Sequence, residues 1–176
     1  MTSPSLRPFR FPARRSAAPL ALLALAAALT AAAPAAAQSG PGKSQRCAPV
    51  TQAAVERQFD MFNQAWATKN PDRVTALFAP DAVLLPTVSN QPRTTPAGVR
   101  DYFVGFLKAS PVGRIDTSTV QLGCNKASRV GTWTVTLTDP QTGAKTDVKA
   151  RYSFIYKYQG GRWWIDHLHS SKMPEA

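Results

Sequence analysis

At Pro111-Val112-Gly113 the hydrophobic period of the chain changes, and this switch constrains the fold more than any other feature. Upstream, apolar side chains recur every three to four residues. Downstream they alternate to the end of the chain. Helices first and an alternating meander afterwards imply an α+β fold, with the helices packed on one face of a curved antiparallel sheet.

The helical half carries three start signals. Thr51 precedes a stripe made by Val55, Phe59, Phe62 and Trp66, which defines one buried face of a helix running to about Lys69. Asn70-Pro71 offers a second cap with proline at the first helical position, and Val74, Leu77 and Phe78 would face inward. Ala79-Pro80-Asp81 ends that helix, and Ala82-Val83-Leu84-Leu85 reads as a short buried strand. Thr87 to Arg93 is a polar loop. Thr95-Pro96 then opens a third helix with Val99, Tyr102, Phe103, Phe106 and Leu107 on its apolar face. Four strands follow over 114–122, 128–138, 146–158 and 162–169, joined in part by the hairpin-forming runs Asp139-Pro140-Gln141-Thr142-Gly143 and Gln159-Gly160-Gly161.

Residues 1–37 read as an export signal: Arg7, Arg10, Arg14 and Arg15 precede an apolar run from Ala17 to Ala33 and the triplet Ala35-Ala36-Ala37. A retained membrane anchor is the competing reading, but the run is mostly alanine and a small-polar linker follows it. The expected organisation is thus a signal over 1–37, a flexible linker over 38–46 and one domain over 47–176, with no stable membrane span after cleavage. Of 21 basic residues in the chain, the four signal arginines leave 17 against 10 acidic ones. That charge is scattered without a basic run interleaved with aromatics, so nucleic acid is not an expected partner. Two cysteines, Cys47 and Cys124, in an exported chain imply one disulfide, with a pair of free thiols as the alternative.

Alternation puts His167 and His169, the only histidines, on one face of the last strand with Trp163 and Ile165, and Trp164, Asp166 and Leu168 on the other. In the strand 146–158, Arg151, Ser153, Ile155 and Lys157 likewise oppose Tyr152, Phe154, Tyr156 and Tyr158. The mixed face with Arg151 and the histidines has the makeup of a lined pocket and is expected on the concave, helix-covered side. The face with Tyr152, Phe154, Tyr156 and Trp164 is expected to form a subunit contact. Trp66 and Tyr102 would add pocket walls, and Trp133 reads as core.

A strand His-x-His pair spans about 7 Å, within reach of one metal, but a third ligand is missing and Asp166 faces away. No metal is expected, and the histidines are either polar pocket groups or structural hydrogen-bonders. Arg151 under helices would need a carboxylate, from Asp81 or Asp101, or an anionic ligand. Asp81 follows a helix end and suits the organisation of that turn. Arg93 and Arg100 are either an anion-attracting rim or solvated surface groups. With no Gly-x-Gly-x-x-Gly run and no flavin-type motif, no cofactor is expected.

Several stretches together resemble a known superfamily: Phe78-Ala79-Pro80-Asp81-Ala82-Val83-Leu84-Leu85-Pro86-Thr87, Arg93-Thr94-Thr95-Pro96, Arg151-Tyr152-Ser153-Phe154-Ile155-Tyr156, Gly161-Arg162-Trp163 and His167-Leu168-His169-Ser170-Ser171-Lys172-Met173-Pro174. They are similar to the cone-shaped, cystatin-like fold of the nuclear-transport-factor-2-like or SnoaL-like superfamily. Within it they most resemble the secreted SgcJ/EcaC family oxidoreductases and the association-domain branch of calcium/calmodulin-dependent kinase II, over Cys47 to Glu175. The resemblance implies three helices over a strongly bent sheet, a pocket in the cone, and dimers or larger rings built on the sheet. It also implies that Arg151, His167 and His169 line the pocket, while kinase activity is not implied. The pocket aspartate on which the superfamily's isomerases and cyclases rely has no clear counterpart here. Two functions follow as expectations: an exported homo-oligomer binding a small polar or anionic molecule, or an enzyme of the SgcJ/EcaC type acting on a small molecule by proton transfer.

Overall fold

A computed structural model of the chain describes residues 46–174, so the expected signal over 1–37 and most of the linker lie outside the described residues. Helix α1, Gln52–Ala67, starts where the Thr51 hydroxyl accepts the Ala54 N–H at 3.2 Å. After it Lys69 adopts a left-handed φ of 55° and turns the chain. Asn70 then caps α2, Pro71–Thr75, through the N–H groups of Asp72 and Arg73. Thr95 caps α3, Pro96–Phe106, through the N–H of Gly98, and a 3-10 turn at Leu107–Ala109 follows.

The second helix is shorter than its sequence pattern predicts, because Leu77 and Phe78 are captured by the sheet instead. The Ile165 N–H donates to the Leu77 carbonyl at 2.9 Å, and strand β1 runs from Phe78 to Leu85 beside the last strand. Strands β2 (Val112–Gly123), β3 (Lys126–Thr138), β4 (Lys145–Gln159) and β5 (Arg162–Lys172) form the antiparallel meander. The five strands are ordered β1-β5-β4-β3-β2, and β1 joins β5 in parallel, so the sheet is mixed rather than wholly antiparallel. The long excursion through α3 and the meander supplies the crossover that a parallel neighbour requires.

All three helices precede the meander, and the buried stripe of α1 packs on the inner face of the sheet. Phe62 meets Phe154 edge-on at 5.4 Å between ring centroids, and Phe59 meets Trp133 at 6.1 Å. The inner face is therefore the one carrying Tyr152, Phe154 and Tyr156, each no more than 3% exposed. This corrects the expected assignment: those three aromatics fill the protomer's own core instead of a subunit contact. Burying them under α1 removes far more apolar area from water than burying Arg151, Ser153 and Lys157 would.

Among the described residues the ladders shift register in three places, one of them between Phe78 and Val83 of β1, and the other two bear on the cavity. Between Ile115 and Thr117 the β2–β3 register shifts opposite Trp133 and Thr132, and the next pair along is Ser118 with Gly131. A Cβ there would stand 2.1 Å from the Thr117 carbonyl oxygen, so only glycine allows the two strands this approach. Tyr152, the β4 partner of Gly131, reaches past it and donates to the same oxygen at 3.0 Å.

The second bulge lies in β5, where Ile155 pairs with His167 but Tyr156 pairs with Ile165, leaving Asp166 as the extra residue. Lys157 holds it there, with its ammonium 2.8 Å from Asp166 and 2.5 Å from Asp81. Those two carboxylates, Asp166 first, raise the Lys157 pKa above its ordinary value. Because a one-residue insertion reverses alternation, Ile165, Leu168 and Ser170 turn inward while Trp164, His167 and His169 turn outward. At the far end of the sheet, the Cys47–Cys124 disulfide ties the segment ahead of α1 to the β2–β3 turn, as expected. Asn125 reinforces this tie by accepting the Ala48 N–H at 2.7 Å. No helix among the described residues is long and apolar enough to cross a membrane.

Candidate functional site

The hollow between the helices and the inner sheet face closes to a cavity of about 30 Å³. Helix α1 supplies Phe62 and Trp66, and α3 supplies Tyr102, Phe103 and Phe106. The sheet adds Leu84, Trp133, Val135, Leu137, Val148 and Leu168, and Pro86, Thr87 and Val88 from the segment after β1 also line it. Six of the lining side chains are aromatic, and they pack on one another: Trp66 lies 5.2 Å from Phe106 and 5.9 Å from Trp133, and Tyr102 stacks on Phe106 at 5.3 Å. That space exceeds the roughly 10–15 Å³ needed to hold one water, so a small polar group fits.

Polar chemistry in this cavity is sparse and specific. Ser170 accepts a short hydrogen bond from the Thr87 hydroxyl and a second from Trp133 Nε1 at 3.1 Å. Trp66 is 3% exposed, and its Nε1 donor has no partner among the described residues. Burial drives the Tyr102 phenol well above its ordinary pKa, against the weaker opposing pull of Arg93, so it is neutral at physiological pH.

Of the five side chains expected to line a pocket, Trp66 and Tyr102 do so. Arg151, His167 and His169 are brought together, but on the outer face of the sheet, where Arg151 pairs across from Ser171, Ser153 from His169 and Ile155 from His167. Arg151 and His169 are exposed and His167 is half-buried. Neither carboxylate proposed for Arg151 reaches it as an ion pair: Asp81 is held by Lys157, and an exposed guanidinium requires no counter-charge. Arg100 pairs with Asp72 at 2.6 Å on the surface. Arg93 is half-buried, bridges Leu84 through its backbone and donates to Ser89 at 3.4 Å. No three metal-ligating side chains converge among the described residues.

Ser170 and Thr87 were missed as site residues, and Trp133 was read as plain core. The signal that could have found Ser170 is the bulge: a carboxylate midway along an aromatic strand, Asp166, is a residue that a regular ladder disfavours.

The outer face offers a second surface. His167 lies between Val83 of β1 and Ile155 of β4, and His169 between Leu85 and Ser153. Val130, 37% exposed, extends this patch onto β3 next to Ser153. The cation of Arg162 stands 3.3 Å from the Trp164 ring centroid at one end of it.

Residues 51–174 match the calcium/calmodulin dependent protein kinase II association domain. The chain belongs to this family. A solved protein from Xanthomonas campestris, assigned to the same association domain, is 43% identical over 98% of its own length and 75% of this chain, with a TM-score of 0.68. A nuclear transport factor 2-like superfamily protein from Salmonella enterica serovar Typhimurium shares the fold at 14% identity and a TM-score of 0.61, covering 70% of this chain and 91% of its own. A ketosteroid isomerase-like protein from Erwinia carotovora atroseptica does so at 16% identity and a TM-score of 0.58, covering 70% of this chain and 96% of its own. No curated protein was found to match the chain.

Proposed function

We propose that this chain is an exported, homo-oligomeric binding module, which assembles through the outer face of its sheet and holds a small, mainly apolar molecule in its cone. The observation that carries this reading is the segregation of side chains across the sheet. The cavity wall is aromatic and aliphatic, with hydroxyl and indole groups as its polar atoms. The imidazoles and Arg151 face the opposite way. Proton-transfer catalysis needs a titratable group within reach of the reacting atom. The lining offers only Tyr102, a phenol held neutral by burial, so binding is favoured over catalysis. An apolar ligand replaces the anion anticipated from Arg151, since a carboxylate would be desolvated here without a cation in the wall.

Assembly is supported by family membership and by the outer patch of Val83, Leu85, Val130 and Ile155 around His167. The occupant of that patch is a second copy of the chain, since two-fold symmetry makes one surface its own complement. Export is supported by the arginine-then-alanine leader and by the disulfide. Sedimentation velocity at micromolar concentration tests the assembly. The wild-type mature protein should run as a dimer or larger, and Ile155→Arg as a folded monomer. A monomeric wild type would overturn the assembly reading.

A further inference from the structure

A hydroxyl can donate one hydrogen bond and accept two. Ser170 Oγ accepts from Trp133 Nε1 and shares a hydrogen bond with the Thr87 hydroxyl; with Thr87 as the donor, the Ser170 proton is left to give. Ser170 is 5% exposed and lines the cavity, with its hydroxyl against that of Thr87. Trp66 lines the same cavity with a second buried donor, its unpartnered Nε1. The rings of Trp66 and Trp133 are 5.9 Å apart and Trp133 Nε1 is bonded to Ser170, so both donors lie in the same wall of the cavity. A buried donor without a partner is a cost that the native state sheds when an acceptor arrives.

The chemistry of the wall narrows what that acceptor is. A carboxylate or phosphate would be stripped of water among aromatic rings, and the cation nearest the wall, Arg93 beside Tyr102, is not itself in the lining to offset the loss. A neutral carbonyl oxygen accepts two hydrogen bonds at small desolvation cost. The volume of about 30 Å³ admits such a head group, and Leu137, Val148 and the 48% exposed Val88 in the same lining offer apolar contact to its body. We propose that the cavity is a binding site for a neutral carbonyl compound with an apolar body, its oxygen bonded by Trp66 Nε1 and the Ser170 hydroxyl. This rests on the reading that the cone holds a small molecule, and it adds the ligand's chemical class.

The test uses the mature protein labelled with ¹⁵N-tryptophan, with indole N–H resonances followed during titration. Cyclohexanone is compared with its isostere methylenecyclohexane, in which C=CH₂ replaces C=O, and with benzoate. Trp66→Phe assigns the Trp66 resonance and removes the donor while keeping an aromatic wall. The expected result is that cyclohexanone binds roughly five- to tenfold tighter than methylenecyclohexane, as one enclosed hydrogen bond is worth. The Trp66 indole proton should move downfield only with the ketone, and the affinity gap should shrink in Trp66→Phe. Equal affinity for ketone and alkene, or a gap unchanged in Trp66→Phe, would overturn the donor inference while leaving cone binding intact. Tightest binding by benzoate would overturn it in favour of an anion site. No perturbation of any cavity tryptophan by any of the three would overturn cone binding itself.

Discussion

Replacing Gly131 with alanine tests whether the bend of the sheet, and with it the cavity, depends on one close approach of β2 to β3. The new Cβ would stand 2.1 Å from the Thr117 carbonyl oxygen and 2.7 Å from its carbon. Carbon and oxygen in contact across strands prefer about 3.3 Å or more, so the strands must part by roughly 1 Å. Both clashing atoms are backbone, so no side chain can rotate out of the way. Overpacking of this kind costs about 1–3 kcal/mol. The hydrogen bond from Tyr152 to the same Thr117 oxygen is strained as that carbonyl moves, adding about 1 kcal/mol. The total is about 2–4 kcal/mol. With a urea m value of about 1.5 kcal/mol/M for a domain of this size, the unfolding midpoint should fall by about 1.3–2.7 M. Tyr152→Phe isolates the hydrogen bond and should cost only its share, about 1 kcal/mol. Gly105→Ala, at an exposed position of α3 with nothing within 4 Å of its Cβ, should instead stabilise by about 0.5–1 kcal/mol. If Gly131→Ala shifts the midpoint no more than Gly105→Ala does, the bend does not rest on this contact.

Two other perturbations read separate parts of the structure. The Cys47–Cys124 disulfide closes a loop with a sequence separation of 77, worth about 4 kcal/mol in the chain-entropy account. Titration of the denatured, unreduced mature protein should therefore find no reactive thiol, and reduction should lower the urea midpoint, whereas two reactive thiols would refute the pairing. Burial first, then the like charge of His169, depress the His167 pKa, opposed by Asp166, which is itself engaged by Lys157. The unfolded chain then binds a proton before the folded one does, so stability is lost as pH falls below about 6.5 toward the lower folded value. The melting temperature should drop less between pH 7.5 and 5.5 in His167→Gln than in the wild type, and an equal drop would show that His167 is not the group responsible.

The helix starts at Thr51, Asn70 and Thr95 were legible because each cap is settled within three residues by a side chain meeting nearby backbone N–H groups. The start of β1 was not, because Phe78 is claimed by Ile165, far away in the sequence. Period-two alternation groups His167 with His169, and Arg151 with Ser153 and Ile155, but it carries no sign, so it could not say which face the helices cover. Weighing apolar bulk would have settled it, since Tyr152, Phe154 and Tyr156 outweigh Ser153, Ile155 and Lys157. The division of β5 was beyond local reading. The bulge at Asp166 depends on Lys157 and Asp81 from two other strands, and it alone turns Ser170 into the cavity and His169 out of it. Trp66 and Tyr102 were found as pocket walls because helical spacing fixed their direction. Thr87 and Ser170 look like surface hydroxyls until the fold puts them in contact.

Native mass spectrometry of the mature protein purified from its own host tests both halves of the proposed function at once. The account predicts a dimer or larger assembly that carries a neutral, organic-extractable small molecule, with assembly lost in Ile155→Arg. A monomer at micromolar concentration, or a retained ligand that is anionic and is released by Arg151→Ala but not by Trp66→Phe, would contradict it.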